Sequence, residues 1–249
     1  MQHDNLLSQE ERHADTSSRS AFKTGRTVGI ILLLQLAAAL TLPFILSKPI
    51  TLRAPDFLAN VAEHSFQVRS AVLLSFVGSG LTVYLGITAF RIFRLYGKSI
   101  GLAFLVACAV SCTLDIVHAG TIMSMLSVSN EFVNSKPADL GLYKEVAVAV
   151  ALVRRSAHST QLLAIGAWMF VFYISLFRFR LIPRVLAIVG VIGVALQFVG
   201  VTLMMFLGYP LISEMAVPLL PIQVTVAIWL IVKGFSNSDM QYPNMFGGK

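Results

Sequence analysis

From residue 27 onward the chain alternates long apolar runs with short polar or basic segments, and most of those runs reach the ~20 residues that an α-helix needs to cross about 30 Å of hydrocarbon. Six can be placed, near Thr27–Leu46, Val68–Phe90, Gly101–Leu126, Ser156–Phe177, Pro183–Leu207 and Val217–Val232. The third is long enough to tilt or to project beyond the core, and the sixth is short. Another apolar stretch, Leu140–Val153, is interrupted by Lys144, followed by Arg154 and Arg155, and too short to span. It is expected to lie at the interface or to extend the fourth helix upward. The first 26 residues, rich in Ser, Asp, Glu, Gln and His, have no apolar periodicity and read as a disordered tail. The pattern therefore predicts an all-α, polytopic transmembrane helical bundle over residues 27–233, between cytosolic tails at 1–26 and 234–249. Thr27–Leu46 is about as long as a full span and LAAALTLPF is a poor cleavage site, so a retained first helix is expected rather than a signal peptide.

Composition agrees. Of the 249 residues 56% are hydrophobic and only 12% charged, and the mean hydropathy is +0.78, whereas a soluble domain carries about 25% charged residues. The net charge of +7 does not indicate nucleic acid, because Lys and Arg cluster between apolar runs and form no basic face. They instead set the orientation. With the N-terminus inside, the cytosolic side receives Arg12, Arg19, Lys23, Arg26, Arg91, Arg94, Lys98, Arg178, Arg180, Arg184, Lys233 and Lys249. The opposite side receives only Lys48, Arg53, Arg69, Lys136, Lys144, Arg154 and Arg155. Both termini are expected in the cytosol.

The first three spans share no motif with the last three, so an inverted-repeat transporter has no sequence support. Gly78, Gly80 and Gly86 in the second span and Gly190, Gly193 and Gly200 in the fifth are expected to let helix backbones approach closely.

Chemistry concentrates in CAVSCTLDIVHAG, residues 108–120. An ionisable group inside a membrane is costly and calls for a partner. At 100° per residue Cys108, Ser111, Cys112, Asp115 and His118 share one stripe, which must face other helices or water. Asp115 lies about two thirds of the way toward the outer surface, with His118 one turn above. The fourth span opens with RRSAHSTQ, where Arg154, His158 and Gln161 share a face beside Arg155, and the second opens with VAEHSFQVR, carrying Glu63, His64, Gln67 and Arg69. Gln197 and Glu214 add polar groups, and Pro218 and Pro221 make the sixth span irregular. The third and fourth helices are expected to be neighbours, with a side-chain atom of Asp115 or His118 within about 8 Å of His158. The candidate ligand-binding set is thus His64, Arg69, Asp115, His118, Arg154, Arg155, His158 and Gln161.

Several chemistries suit these residues. Asp115, His118 and His158 could hold zinc with an open position for water, although no short two-histidine motif marks them. His118 and His158 lie at depths that would permit haem ligation, and nothing else marks a haem; no cofactor is predicted. The two cysteines, one helical turn apart, read as small packing residues. Arg154 and Arg155 could grip the carboxylate or phosphate of an anionic head group, or only sit in the head-group layer. Asp115 could equally serve to pair helices.

The segment FRFRLIPRVLAIVGVIG at 177–193, with Pro183, Arg184, Gly190 and Gly193, together with the six-span plan and the amphiphilic stretch before the fourth span, resembles a bacterial family of membrane proteins known only as a domain of unknown function (family 4386). The resemblance would cover about residues 25–235. It implies a fold and an address in the bacterial cytoplasmic membrane, and no reaction. Three functions remain open: a membrane protein binding a lipid-like or small anionic ligand in an outward-facing polar pocket, a metal-dependent lipid hydrolase, and a structural bundle whose polar residues only fix packing.

Overall fold

The computed structural model describes residues 2–46, 49–50, 55–136, 139–209 and 215–236, with side chains from residue 19 onward. Among them all regular structure is helical. The helices are α1 (Gln2–Leu46), α2 (Phe57–Glu63), α3 (Ser65–Tyr96), α4 (Lys98–Asn134), α5 (Leu140–Arg178), α6 (Arg184–Leu207) and α7 (Leu219–Lys233). Five, with α1 counted from Arg19, are long and apolar enough to cross a membrane, and α7 is a shorter apolar helix. At 1.5 Å per residue its 15 residues rise about 22 Å, short of a full hydrocarbon crossing.

Of the two placements open to Leu140–Val153, the structure takes the second: the segment forms the first turns of α5, because Lys144, Arg154 and Arg155 interrupt hydropathy without breaking a helix. The backbone of α1 is helical from Gln2, so the stretch expected to be disordered is not; no Gly or Pro precedes Gly25, and Gln, Glu, Arg, Ala and Leu all tolerate the helix. Elsewhere local rules suffice. Pro183 precedes α6, and Gly208, left-handed at φ 75°, ends it.

Neighbouring helices in the order α1, α3, α4, α5, α6, α7 and back to α1 form a closed ring, with α2 packed on α4. One end carries the α3–α4 connection at Gly97, the α5–α6 turn and the close of α7. It is called the basic end here, after Arg91, Arg94, Lys98, Arg178, Arg180, Arg184 and Lys233. The ring also closes there. Gly25 lies against the backbone of Gly234 and Phe235, and a methyl group on Gly29 would fall 2.6 Å from the Ala227 carbonyl oxygen. Gly234, at φ 67°, brings the chain against Phe22 in a conformation that other residues rarely adopt. Ser236 N–H donates to the Leu181 carbonyl at 2.9 Å, and the Tyr96 and Phe179 rings stack 4.7 Å apart.

The apolar interior is divided. One cluster fills the basic half, where Phe93, Phe104, Trp168, Phe172 and Tyr173 form a chain of ring contacts. A second, aliphatic apart from Phe57, joins Leu58 and Val61 of α2 to Val68, Val72, Ile122, Met125, Leu126 and Ala147. Between them, on α3, α4 and α5 alike, the buried positions turn polar: Ser79 and Thr82, Ser111 and Asp115, Ser159.

The small residues separate into two kinds. Gly86 lies against Cys108, whose Cβ would be 3.0 Å from an added methyl, while Gly190 accommodates the Tyr173 ring and Gly193 accommodates Leu219. Gly78 and Gly80, expected to do the same, face open space. Cys108 is buried and Cys112 half-buried, and both are free thiols.

Candidate functional site

The polar layer is built by three consecutive helices. Asp115 reaches from α4 toward α5, where Gln161 Nε2 donates to its Oδ1 at 2.9 Å; on its other side Ser79 Oγ of α3 lies 3.4 Å from Oδ2 while also donating to the Ser75 carbonyl at 2.9 Å. With its amide nitrogen committed to the carboxylate, Gln161 turns its oxygen to His158 Nδ1 at 3.1 Å. An amide oxygen only accepts, so Nδ1 carries the proton and donates. The line therefore runs His158 to Gln161 to Asp115, each group donating to the next. A hydrogen-bonded carboxylate and amide are the form in which such groups are tolerated away from water.

His158 is also held from the other side. Its ring lies 4.9 Å from that of His118, centroid to centroid, at 35° between planes. Arg154, one turn before His158, is within electrostatic reach of both rings. Helix α4 places His118 one turn beyond Asp115, and α5 places His158 and Gln161 three residues apart, which is why two short contacts bring five residues together. The expected meeting of the third and fourth spans through Asp115, His118, His158 and Gln161 is thus what the helices form.

Not all of this layer is satisfied. Among the described residues His118 Nε2 and Arg154 Nε are buried and have no hydrogen-bond partner, as is the case for Ser111 Oγ deeper on α4. His158 itself is exposed. Counting from the basic end, His118 lies twenty residues beyond Lys98 and His158 twenty residues before Arg178, so both stand about 30 Å along their helices.

The remaining candidates lie apart. His64 sits at the α2–α3 junction, its Nδ1 2.9 Å from the Asn60 carbonyl. Arg69 and Arg155 are exposed, and among the described residues no side-chain hydrogen bond or ring contact of theirs reaches the layer; only the Arg155 backbone carbonyl does so, accepting from Ser159 Oγ at 3.1 Å. Gln197 of α6 reaches the same level indirectly, donating to the Leu162 carbonyl at 3.2 Å. Glu214 falls outside the described residues. The zinc reading of Asp115, His118 and His158 meets a geometric obstacle: the Asp115 carboxylate is turned to Gln161 and Ser79. Among the described residues no three His, Cys, Asp or Glu side chains are grouped to hold a metal ion.

Two partners escaped the sequence reading. Ser79 lies in VGSG, where nothing in the local sequence separates it from its glycine neighbours. Gln35 of α1, whose Nε2 donates to Thr82 Oγ1 at 2.7 Å, was the lone amide in the first apolar run and could have been flagged as such.

Neither a curated protein nor a solved structure matches the chain. A family model described as "Domain of unknown function (DUF4386)" matches residues 27–234. With that match covering most of its length, and with its apolar helices, the chain is an integral membrane protein that belongs to the DUF4386 family.

Proposed function

We propose that the polar layer is a binding site for a small anionic or lipid-like ligand, reached from the extracytoplasmic side of a bacterial cytoplasmic membrane, in a protein that crosses six times with both termini in the cytosol. The observation that carries this is the pair of buried, unpartnered nitrogens, His118 Nε2 and Arg154 Nε. An arginine N–H can only donate, and leaving it without an acceptor away from water costs of order 1–3 kcal/mol or more. A carboxylate or phosphate oxygen offers what is missing. The division of labour follows: Ser79, Asp115 and Gln161 satisfy one another and pair α3, α4 and α5, while His118, Arg154 and the exposed His158 are left for the ligand.

Orientation is supported by the basic end, whose cations suit the cytosolic side. The antiparallel closure of α1 on α7 supports an even number of crossings. If the basic end lies at the inner boundary, about 30 Å of helix puts the two histidines at the outer one. A reporter active only in the cytosol should work within residues 91–98 and fail within 128–136, and the reverse result would turn the site to the other face. For the ligand, native mass spectrometry of the full chain released from its membrane should show a bound anionic amphiphile or small acid. Arg154→Ala and His118→Phe should each reduce it about tenfold or more, the scale of a lost charge-assisted contact. Equal occupancy in both variants and the parent would overturn the assignment.

A further inference from the structure

At the opposite end of the molecule α1 and α3 leave an open cleft of about 590 Å³ that the polar layer does not involve. Its described lining includes the cations Lys23 and Arg91, with Arg19 at its edge. On α1 the lining residues 19, 23 and 27 follow one stripe, and on α3 so do 84, 88 and 91. The two helices run in opposite directions, so the cations gather at the mouth and Thr27 and Tyr84 lie deeper. Thr24 and Thr27 donate their hydroxyl protons to backbone carbonyls one turn back, at 2.9 and 3.1 Å. Lys23 and Arg91 are exposed, and both line the cleft.

The stripes do not stop where the cleft does. On α1 the positions 27, 30 and 34 continue it with Ile30 and Leu34, exposed at 45% and 51%. On α3 the positions 84, 80, 77 and 73 continue it with Gly80, Val77 and Leu73, the last two exposed at 54% and 65%. Nothing lies within 4 Å of where a side chain on Gly80 would begin. Cations at the mouth and hydroxyls below them line the cleft, and the exposed apolar positions and the open face of Gly80 on the same two stripes extend a polarity gradient beyond it. A soluble anion would use only its first part. The length from Tyr84 to Val77, about 10 Å, is comparable with the upper portion of one acyl leaflet.

We propose that this groove binds an anionic phospholipid, its phosphate between Lys23 and Arg91 with Arg19 beside them, and an acyl chain along Ile30, Leu34, Val77 and the Gly80 notch. The geometry is that of a juxtamembrane basic pocket, in which each cation near an anionic surface contributes about a fivefold factor in binding. The site is separate from the His118–Arg154 layer and stands whether or not that layer binds a ligand.

The test uses the full chain in nanodiscs of phosphatidylcholine containing a minor fraction of spin-labelled phosphatidylglycerol, with the immobilised lipid fraction as readout. The parent should select phosphatidylglycerol. Arg91→Gln and Lys23→Gln should each weaken that selection about fivefold, and the pair about twenty-five-fold. Arg184→Gln removes the same charge at the same end but outside the groove, and should leave selection unchanged. Gly80→Leu fills the notch without altering charge, and should reduce immobilisation of the acyl label; its helix content by circular dichroism checks that the chain is folded. Equal losses from Arg184→Gln and Arg91→Gln would reduce the effect to the general field of the basic end and overturn the site. So would displacement of the labelled lipid by millimolar inorganic phosphate, which would make the occupant a soluble anion, and so would full immobilisation in Gly80→Leu.

Discussion

Helices α4 and α5 are neighbours along their length, yet what joins them changes halfway. In the basic half Phe104 sits against Phe172 and Trp168, with ring centroids 5.7 and 6.4 Å apart, and Phe93 of α3 closes the group. In the other half Asp115, Gln161, His158 and His118 take over within two turns of each helix. Inside a bilayer the first kind of contact has little hydrophobic drive, since lipid tails are as apolar as the rings; it works through close packing. The second works through donors and acceptors that lipid cannot replace. Packing does not satisfy every polar atom, since among the described residues Trp168 Nε1 is also buried without a partner, but it leaves that one neutral N–H walled in by rings. The polar layer leaves His118 Nε2 and Arg154 Nε on facing helices beside the exposed His158, and this is why the candidate site lies in this half.

The sharpest way to test the contrast is to open the aromatic half. Phe172 is buried among Phe93, Phe104, Trp168 and Tyr173, and Phe172→Ala should cost about 3–5 kcal/mol, seen as a lowered thermal unfolding midpoint in mild detergent. A smaller loss than that of the layer variants would reverse the assignment of strength to packing. Next comes Asp115→Leu, which strips Gln161 and Ser79 of their acceptor and should cost about 1–3 kcal/mol. Asp115→Asn should recover much of this, because an amide oxygen still accepts; identical losses in the two would mean that volume rather than hydrogen bonding matters there.

Glycine substitutions set packed positions against open ones. Gly190→Ala drives a methyl into the Tyr173 ring and should cost about 1–3 kcal/mol. Gly78→Ala meets nothing and should be neutral or stabilise by up to about 1 kcal/mol through helix propensity. Thermal midpoints that shift in the same direction for both would contradict the distinction between the two glycines. The smallest effect concerns a polar bond at the edge of the aromatic half. A double-mutant cycle on Gln35→Leu and Thr82→Val should give a coupling of about 0.6 kcal/mol, typical for a hydrogen bond between membrane helices.

Much of this arrangement was legible in the sequence, for identifiable reasons. The ends of α6 follow from Pro183 and Gly208, whose backbone preferences act locally. The meeting of α4 and α5 follows from a constraint that is also simple: Asp115, His118, His158 and Gln161 occupy two faces that lipid cannot satisfy, so each face needs the other. What hydropathy does not register is where a helix continues into a more polar medium. It measures the solvent a segment prefers, and so it cut α5 at Ser156 although the backbone runs unbroken from Leu140. It cut α1 at Thr27 for the same reason. Ser79 was hidden by its company, since between Gly78 and Gly80 a serine has the size of a packing residue, and only the third dimension shows that its two glycine neighbours face outward while it faces Asp115.

The closure of α1 on α7 bears on how the molecule is made. Gly25 and Gly29 are shaped to receive Ala227 and Ile231 of α7 and Gly234 and Phe235 just beyond its end, the last element of the ring. During synthesis the first helix enters the bilayer with that flank uncovered and keeps it so until nearly two hundred further residues have been translated. Helices α3 to α6 can join pairwise as they emerge, but the circle cannot be completed before its final element arrives. Closure of the ring therefore waits on the synthesis of α7, and a nascent chain stopped before Leu219 is left holding an open arc whose exposed small-residue flank is free to engage whatever helix is nearby.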